Sequence, residues 1–270
     1  MKERMDENKV EISGSVIKIW RRDRHIFARL ATRTGIQEAL PPRFTVKFAD
    51  GCFNGEGITL MAGDALRIRG WITDEPYYEN LSEFLARAKN PIRIDNHFDL
   101  KKIGEVRVKR ALTAVVPEQL EPLPEAIDLN KVVVEGVIAR AWEHKAGKYV
   151  RLAVYHRHTR CTGEEGNHGR PRREPSYMTV QFSDGLVDGH AVKILPKRET
   201  PDESGLAPHD RVTACGMLAE SFYSQSLHSF LLEAKRIDVL HEMPDASEAA
   251  NVWSSYTQTI ITARKLVQYT

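Results

Sequence analysis

The chain has 270 residues, of which 41% are hydrophobic and 28% charged, and its formal net charge is +2. This length accommodates two domains of ordinary size or one large domain, and no stretch approaches the roughly 18 apolar residues that a membrane-spanning helix requires. The 3 cysteines are widely separated, which argues against a disulfide scaffold and favours a reducing compartment. Because the charges nearly balance, any nucleic-acid site has to gather its cations locally.

Short apolar segments with partial alternation occupy the first half of the chain. They read KVEISGSVIKIW from Lys9, HIFARLATR from His25, FTVKFADG from Phe44 and GDALRIRGWI from Gly63. Alternation of apolar and polar residues, together with many β-branched and aromatic side chains, is typical of β-strands. The first half is therefore predicted to be a small β domain.

The second half repeats these segments in the same order. KVVVEGVIARAW begins at Lys131, which is 122 residues (131 − 9) after its counterpart, and later blocks match at spacings of 134 (179 − 45) and 146 (216 − 70). The length differences fall between the blocks, where surface loops tolerate insertions. The sequence therefore predicts a duplicated β domain, with 1–116 as the first copy and 131–243 as the second.

Two further segments lie outside these copies. Residues 117–130 contain three prolines and four acidic residues, the composition of a semi-rigid linker. In the tail, 244–270, Val252, Tyr256 and Ile260 recur every four residues, which predicts a C-terminal α-helix. We expect this helix, about 247–268, to join two chains as a homodimer with four β domains.

The order and spacing of the blocks resemble the bacterial single-stranded DNA-binding (SSB) proteins of the OB-fold type. KVEISGSV is similar to the first strand of that family, and HIFARLATR to the second, which commonly ends in Leu-Ala-Thr. The resemblance covers about 9–89 and 131–235. It implies an all-β chain of two tandem OB-fold barrels, each a five-stranded Greek key, joined by the Pro/Glu-rich linker and followed by the C-terminal α-helix.

The resemblance also implies positions at which bases stack on side chains. One position lies seven residues after the glycine of the fourth strand and corresponds to Tyr77 and Tyr223. Another begins the third strand and corresponds to Arg43 and Tyr177.

The residues themselves point to the same chemistry. Binding of single strands without sequence preference needs aromatic faces, worth about 1–3 kcal/mol per stacked base, and cations along the phosphates. Outward positions of the second and third strands supply both, and Trp20 and Trp142 lie near basic residues at strand ends. The alternatives are that the aromatics cover the exposed face of the barrel or a subunit interface, and that the two tryptophans plug the barrel. The candidates are Lys18, Trp20, Phe27, Arg29 and Lys47 in the first copy, and Arg140, Trp142, Tyr149, Arg151 and Gln181 in the second.

The loop from His156 to Ser176 is the most distinctive stretch of the second copy. We expect it to be mobile and to close over a bound strand, and the alternative is a solvated charged loop. Its histidines and Cys161 lack the tight pairing of structural zinc sites, so no metal and no cofactor is expected. The arginines that we expect to contact phosphate are Arg157, Arg160, Arg170, Arg172 and Arg173.

No phosphate-binding loop, nucleophile elbow or zinc-protease pattern is recognisable, and the chain is not expected to be an enzyme. We predict a cytoplasmic, nucleoid-associated protein that coats single-stranded DNA in replication, recombination or repair, with no membrane partner. Whether the chain also binds RNA is left open, because no residue pattern in the sequence is specific for the 2′-hydroxyl. The alternative is an OB-fold assembly module of a replication or repair complex with little nucleic-acid affinity.

Overall fold

The computed structural model describes residues 5–22, 25–32, 41–48, 59–88, 105–144, 147–156, 161–165, 171–183, 192–200, 203–241 and 251–269. Within these ranges the chain is mostly β-strand. The strands are β1 (Asn8–Arg22), β2 (His25–Ala31), β3 (Arg43–Phe48), β4 (Ala65–Asn80), β5 (Arg107–Leu123), β6 (Asn130–His144), β7 (Gly147–Val154), β8 (Cys161–Glu165), β9 (Pro171–Arg173), β10 (Ser176–Phe182), β11 (Arg211–Ser226) and β12 (Trp253–Tyr269). The helices are α1 (Leu81–Ala86), α2 (Leu227–Glu233) and α3 (Asp238–His241).

The strands pair in two closed circuits of five. β1, β2, β3, β5 and β4 follow one another and return to β1, and β6, β7, β10, β12 and β11 return to β6 in the same way. In each circuit one pair of neighbouring strands is parallel. In the first circuit this pair is β3 with β5, where Val46 lies opposite Val115, and in the second it is β10 with β12, where Val180 lies opposite Ile261. The all-β fold class of the OB type is therefore confirmed.

The predicted C-terminal helix is wrong, because Trp253–Tyr269 forms strand β12. A four-residue spacing such as that of Val252, Tyr256 and Ile260 satisfies a period of two as well as a helical period. Ser254, polar but fully buried, hid the alternation. β12 follows β5 at a spacing of 146 (253 − 107) and is the fifth strand of the second repeat, so dimerisation through a terminal helix loses its basis.

Two other segments also differ from expectation. Pro117 lies inside β5, so only residues 124–129 of the predicted linker separate β5 from β6. Part of the loop 156–176 forms a two-stranded hairpin, β8 with β9, in which Cys161 pairs with Arg173. Alternating prolines and acidic residues did not prevent strand formation in β5.

The chain divides into two compact units that do not coincide with the predicted domains. The first, which we call the barrel unit, comprises Met1–Asp74, Thr113–Glu220 and Thr259–Thr270. The second, the helix unit, comprises Glu75–Leu112 and Ser221–Gln258. Each unit draws on both repeats. No helix in the described ranges has the length and apolar character needed to cross a membrane.

The two repeats meet inside the barrel unit. β1 and β6 are antiparallel, and Val10 lies opposite Val132, its own equivalent in the second repeat. Asn8 and Asn130, also equivalent, each exchange two hydrogen bonds with the backbone of the fourth strand of their own repeat. One hydrophobic core contains side chains from both circuits. Within the barrel unit, the two repeats therefore share one core and have a local two-fold relation at the β1–β6 ladder.

The glycine common to both copies of the fourth strand permits a close approach of backbones. A Cβ at Gly70 would lie 2.0 Å from the carbonyl oxygen of Val116, and one at Gly216 would lie 2.1 Å from that of Thr262. No side chain fits at either distance. The glycines therefore allow the fourth and fifth strands to pair.

The helix unit has its own core, formed around equivalent residues of the two repeats. Asn80 caps α1 in a capping box with Glu83, and Ser226 caps α2 through the backbone N–H of Ser229. The rings of Phe84 in α1 and its equivalent in α2, Phe230, lie 4.6 Å apart between centroids. Both rings are fully buried.

A polar cluster lies beside this aromatic contact. The carboxylate of Glu79 is only 1% exposed and forms ion pairs with Arg87 and with Arg110, whose Nε lies 2.9 Å from Oε2. The hydroxyl of Tyr256 donates to the same carboxylate over 3.1 Å. Arg110 also donates to Glu233 over 2.9 Å. The buried charge is therefore compensated from several sides.

Candidate nucleic-acid interface

Six of the predicted residues lie on one outer face of β1, β2 and β3. Lys18 is opposite Arg29 and Trp20 is opposite Phe27 in the β1–β2 ladder. Lys47 is opposite Phe27 in the β2–β3 ladder. Residues directly opposite on neighbouring strands point to the same side of a sheet. We call this surface face 1: Lys18, Trp20, Phe27, Arg29, Arg43 and Lys47.

The equivalent surface of the second repeat lies on β6, β7 and β10. Arg140 is opposite Arg151, and Trp142 is opposite Tyr149. Gln181 is opposite Tyr149 in the neighbouring β7–β10 ladder. We call this surface face 2: Arg140, Trp142, Tyr149, Arg151, Tyr177 and Gln181.

Each face contains one pair of parallel aromatic rings at equivalent positions. Trp20 and Phe27 stack with centroids 5.6 Å apart and planes inclined by 13°. Trp142 and Tyr149 stack at 5.5 Å and 9°. A cross-strand stack of this kind holds the indole flat, in the orientation that an unpaired base needs for stacking.

Phe27 does not have the exposure that the sequence suggested. Its side chain is only 4% exposed, because the indole of Trp20 covers it. Phe27 therefore supports Trp20 and offers no face of its own to a base. Tyr149, its equivalent, is half-buried and keeps part of its ring accessible.

The equivalent arginines of the two faces have different partners. Arg29 Nη1 donates to Thr45 Oγ1 over 3.0 Å, and Nη2 pairs with the carboxylate of Glu220. The guanidinium of Arg151 instead lies over the ring of Tyr177, 5.3 Å from its centroid. On the same face Arg140 lies 5.5 Å from the ring centroid of Trp142. Cation–π contacts leave the guanidinium N–H groups available to an anion.

Tyr77 and Tyr223 belong to the helix unit. The ring of Tyr223 stacks on that of Tyr256 with centroids 5.0 Å apart and planes inclined by 11°. Burial raises the pKa of the phenol of Tyr223. One side of Tyr223 is therefore covered within the chain, although the residue as a whole is exposed.

Several predicted contacts fall where the structure gives no side-chain description. Arg157, Arg160 and Arg170 lie outside the described residues. The backbone of Arg172 and Arg173 lies in β9. The β8–β9 hairpin belongs to the segment between β7 and β10, two strands of face 2.

The described residues contain no group of three or more His, Cys, Asp and Glu side chains placed to hold a metal ion. His156 is buried and its ring lies 6.4 Å from that of Trp71 between centroids. The other histidines of the zinc interpretation, His158 and His168, lie outside the described residues. The site consists of aromatic and basic groups.

Sequence reasoning missed Glu220, which lies 191 positions from the arginine that it pairs with. The repeat contained one signal, since the equivalent residue of the first copy, Asp74, is also acidic. An acidic residue retained at equivalent positions of the two fourth strands, β4 and β11, indicates a paired charge. Its partner could not be read from the spacing.

Comparison with known proteins gave matches to solved structures alone. No protein-family model matches the chain, and no curated protein sequence matches it. The wild-type single-stranded DNA-binding protein from Thermus aquaticus is 15% identical, with a TM-score of 0.47, and the alignment covers 99% of this chain and 95% of that one. A deletion variant of the same Thermus protein is 16% identical, with a TM-score of 0.47 and coverages of 98% and 96%.

Proposed function

We propose that this chain binds single-stranded DNA without reading its sequence, by stacking bases on face 2 and face 1 and pairing phosphates with their basic side chains. The observation that carries the proposal is the equivalent aromatic stack on each repeat, Trp142 with Tyr149 and Trp20 with Phe27, beside outward cations. Every base has a ring face, so such a surface accepts any sequence.

Face 2 has the fuller set of groups. Trp142, Tyr149 and Tyr177 supply three rings on adjacent strands, and Arg140 and Arg151 lie side by side between them. An OB fold covers roughly 4–16 nucleotides, so a chain with both faces engaged covers about twice that number. Coating of this kind would protect single strands in replication, recombination or repair, in the cytoplasm near the nucleoid, by binding rather than catalysis.

The experiment is a titration of fluorescently labelled oligo-dT followed by anisotropy. Trp142→Ala removes one stacking surface and should weaken binding about tenfold or more. Trp253→Ala is the matched control, because Trp253 is 47% exposed and belongs to the helix unit rather than to either face. Equal effects of the two substitutions, or no binding by the unsubstituted chain at low salt, would refute the proposal.

The assembly-module alternative makes the opposite prediction for the helix unit. If Tyr77 and Tyr223 contact a partner subunit, the double change to Ala should lower the mass measured by light scattering and leave DNA affinity unchanged. If they stack bases, DNA affinity should fall and the mass should stay constant. A homodimer remains a prediction that the same light-scattering measurement tests.

A further inference from the structure

The two faces differ at one equivalent pair of arginines, Arg29 and Arg151. Both lie on the second strand of their circuit, with equivalent residues opposite, Lys18 and Arg140. The side chain of Arg29 is 21% exposed, and the carboxylate of Glu220 that holds it is 10% exposed. This ion pair is therefore largely shielded from water.

On face 2, no carboxylate of the described residues pairs with the equivalent arginine. Among the residues that the structure describes, neither Arg151 nor Arg140 forms an ion pair, and each lies over an aromatic ring. Two adjacent guanidinium groups without a carboxylate produce a concentrated positive potential, which attracts a polyanion. The corresponding charge on face 1 is neutralised at Arg29.

A carboxylate and a phosphate use the same guanidinium N–H groups. For a phosphate to bind Arg29, the arginine must leave Glu220, whose shielded carboxylate would then lose its partner and repel the phosphate. We propose that Glu220 blocks Arg29 from phosphate, so that a single strand binds face 2 first and face 1 more weakly. This inference rests on the proposed function and adds an order of engagement to it.

The remaining positions of the two faces differ in the same direction. Where face 2 has the ring of Tyr177, face 1 has Arg43, and where face 2 has the half-buried Tyr149, face 1 has the covered Phe27. Face 1 therefore offers Trp20 as its one accessible ring among the predicted positions. Fewer rings and one neutralised arginine both make face 1 the weaker surface.

The test is the isosteric change Glu220→Gln, which keeps the size of the side chain and removes its charge. Releasing Arg29 should tighten binding of poly-dT on the order of tenfold at low salt. It should also steepen the dependence of log K on log salt by about 0.7, the increment for one more phosphate contact with a single strand. The number of nucleotides covered per chain should rise as face 1 engages.

The matched control is Asp238→Asn. Asp238 also pairs with an arginine, Arg236, at 3.1 Å, and it belongs to the helix unit, so its removal measures the effect of one lost negative charge alone. A second comparison needs no change at Glu220: Arg151→Gln should weaken binding about tenfold, and Arg29→Gln should weaken it several times less than Arg151→Gln does. In the Glu220→Gln background, Arg29→Gln should cancel the gain.

The outcomes separate the two proposals. The proposed function stands if the unsubstituted chain binds poly-dT and Trp142→Ala weakens that binding. The blocking role of Glu220 is nevertheless overturned if Glu220→Gln changes the affinity, the salt dependence and the number of nucleotides covered no more than Asp238→Asn does. Equal losses from Arg29→Gln and Arg151→Gln overturn it as well. If no variant and no unsubstituted chain binds, the proposed function itself fails.

Discussion

Replacing Arg110 by Met should destabilise the helix unit more than any surface ion-pair change. Arg110 is only 11% exposed and donates to Glu79 over 2.9 Å, to Glu233 over 2.9 Å and to Gln225 over 2.5 Å. Its guanidinium also lies 5.6 Å from the ring centroid of Phe230. Met retains much of the apolar stem and removes the charge together with every N–H donor.

The magnitude follows from what is left behind. Removing one partner of a buried ion pair costs about 3–5 kcal/mol, because the other charge stays buried without compensation. Glu79 would retain Arg87 and the hydroxyl of Tyr256, so we expect the lower end, about 3 kcal/mol. Adding Glu79→Gln removes the uncompensated charge, and the double variant should therefore lose less than the sum of the two single losses.

The arrangement of charge explains why this cluster matters for the duplicated chain. The members from the first repeat carry one more positive than negative charge, and their equivalents at a spacing of 146 carry one negative charge. The formal charge of the cluster is therefore zero only when the members from the first repeat and those from the second repeat are both present. The equivalent pairs are Glu79 with Gln225, Arg87 with Glu233, and Arg110 with Tyr256.

The assay is urea unfolding followed by the fluorescence of Trp253, the tryptophan of the helix unit, in a background in which Trp20, Trp71 and Trp142 are replaced by Phe. Arg236→Met is the control, because the pair of Arg236 with Asp238 is more exposed and screened by water, so its loss should cost far less stability than that of Arg110. A loss below about 1 kcal/mol for Arg110→Met, or one equal to that of the control, would show that Glu79 does not depend on Arg110.

Three further outcomes follow from the geometry. Gly216→Ala should cost about 3 kcal/mol or more in thermal or urea unfolding, because the new Cβ has to move the backbone of β12, and a loss within about 0.5 kcal/mol would contradict the close approach. Hydrogen bonds from Arg69 and Arg67 lower the pKa of Glu11. The stabilising contribution of Glu11 is therefore present above the usual pKa and is lost as pH falls through the lowered value. Carbon-13 titration should find the pKa of this carboxyl below the usual range, and Arg69→Gln should raise that pKa. Burial raises the pKa of Tyr256, so its contribution to stability is complete below about pH 10 and is lost at higher pH. The difference between the ultraviolet titration curves of the unsubstituted chain and of Tyr256→Phe should have its midpoint above about pH 10. A midpoint at or below that pH would contradict the burial of this phenol.

The repeat made most of the strand architecture accessible from the sequence. Matched spacings located the first four strands of each copy, because strands preserve register while loops accept insertions. The fifth strand was located in neither copy. The end of β5 was predicted to be linker, and β12 was predicted to be a helix, since an interval of four fits both a strand and a helix. Continuing the 146 spacing from Arg107 to Trp253 would have resolved the ambiguity.

The candidate site was predictable as far as local alternation determines it. Outward parity supplied the members from the second strand and the far end of the third, the tryptophans and their basic neighbours came from the strand ends, and Arg43 and Tyr177 came from the family resemblance. The strand pairings bring each set onto one surface. The covering of Phe27 by Trp20 and the pairing of Arg29 with Glu220 depend on contacts between strands, the second across most of the chain. Periodicity reports which side a residue faces, but it does not report what lies against that side.

Photo-crosslinking tests most directly whether single strands lie on these faces. Oligonucleotides with 5-iododeoxyuridine at one position are irradiated with the full chain, and the modified residues are located by mass spectrometry. Stacking predicts adducts at Trp142, Tyr149 or Tyr177 at low DNA concentration. Adducts at Trp20 should appear in addition when the DNA concentration is raised. Adducts confined to residues outside both faces, or none at low salt, would contradict the account.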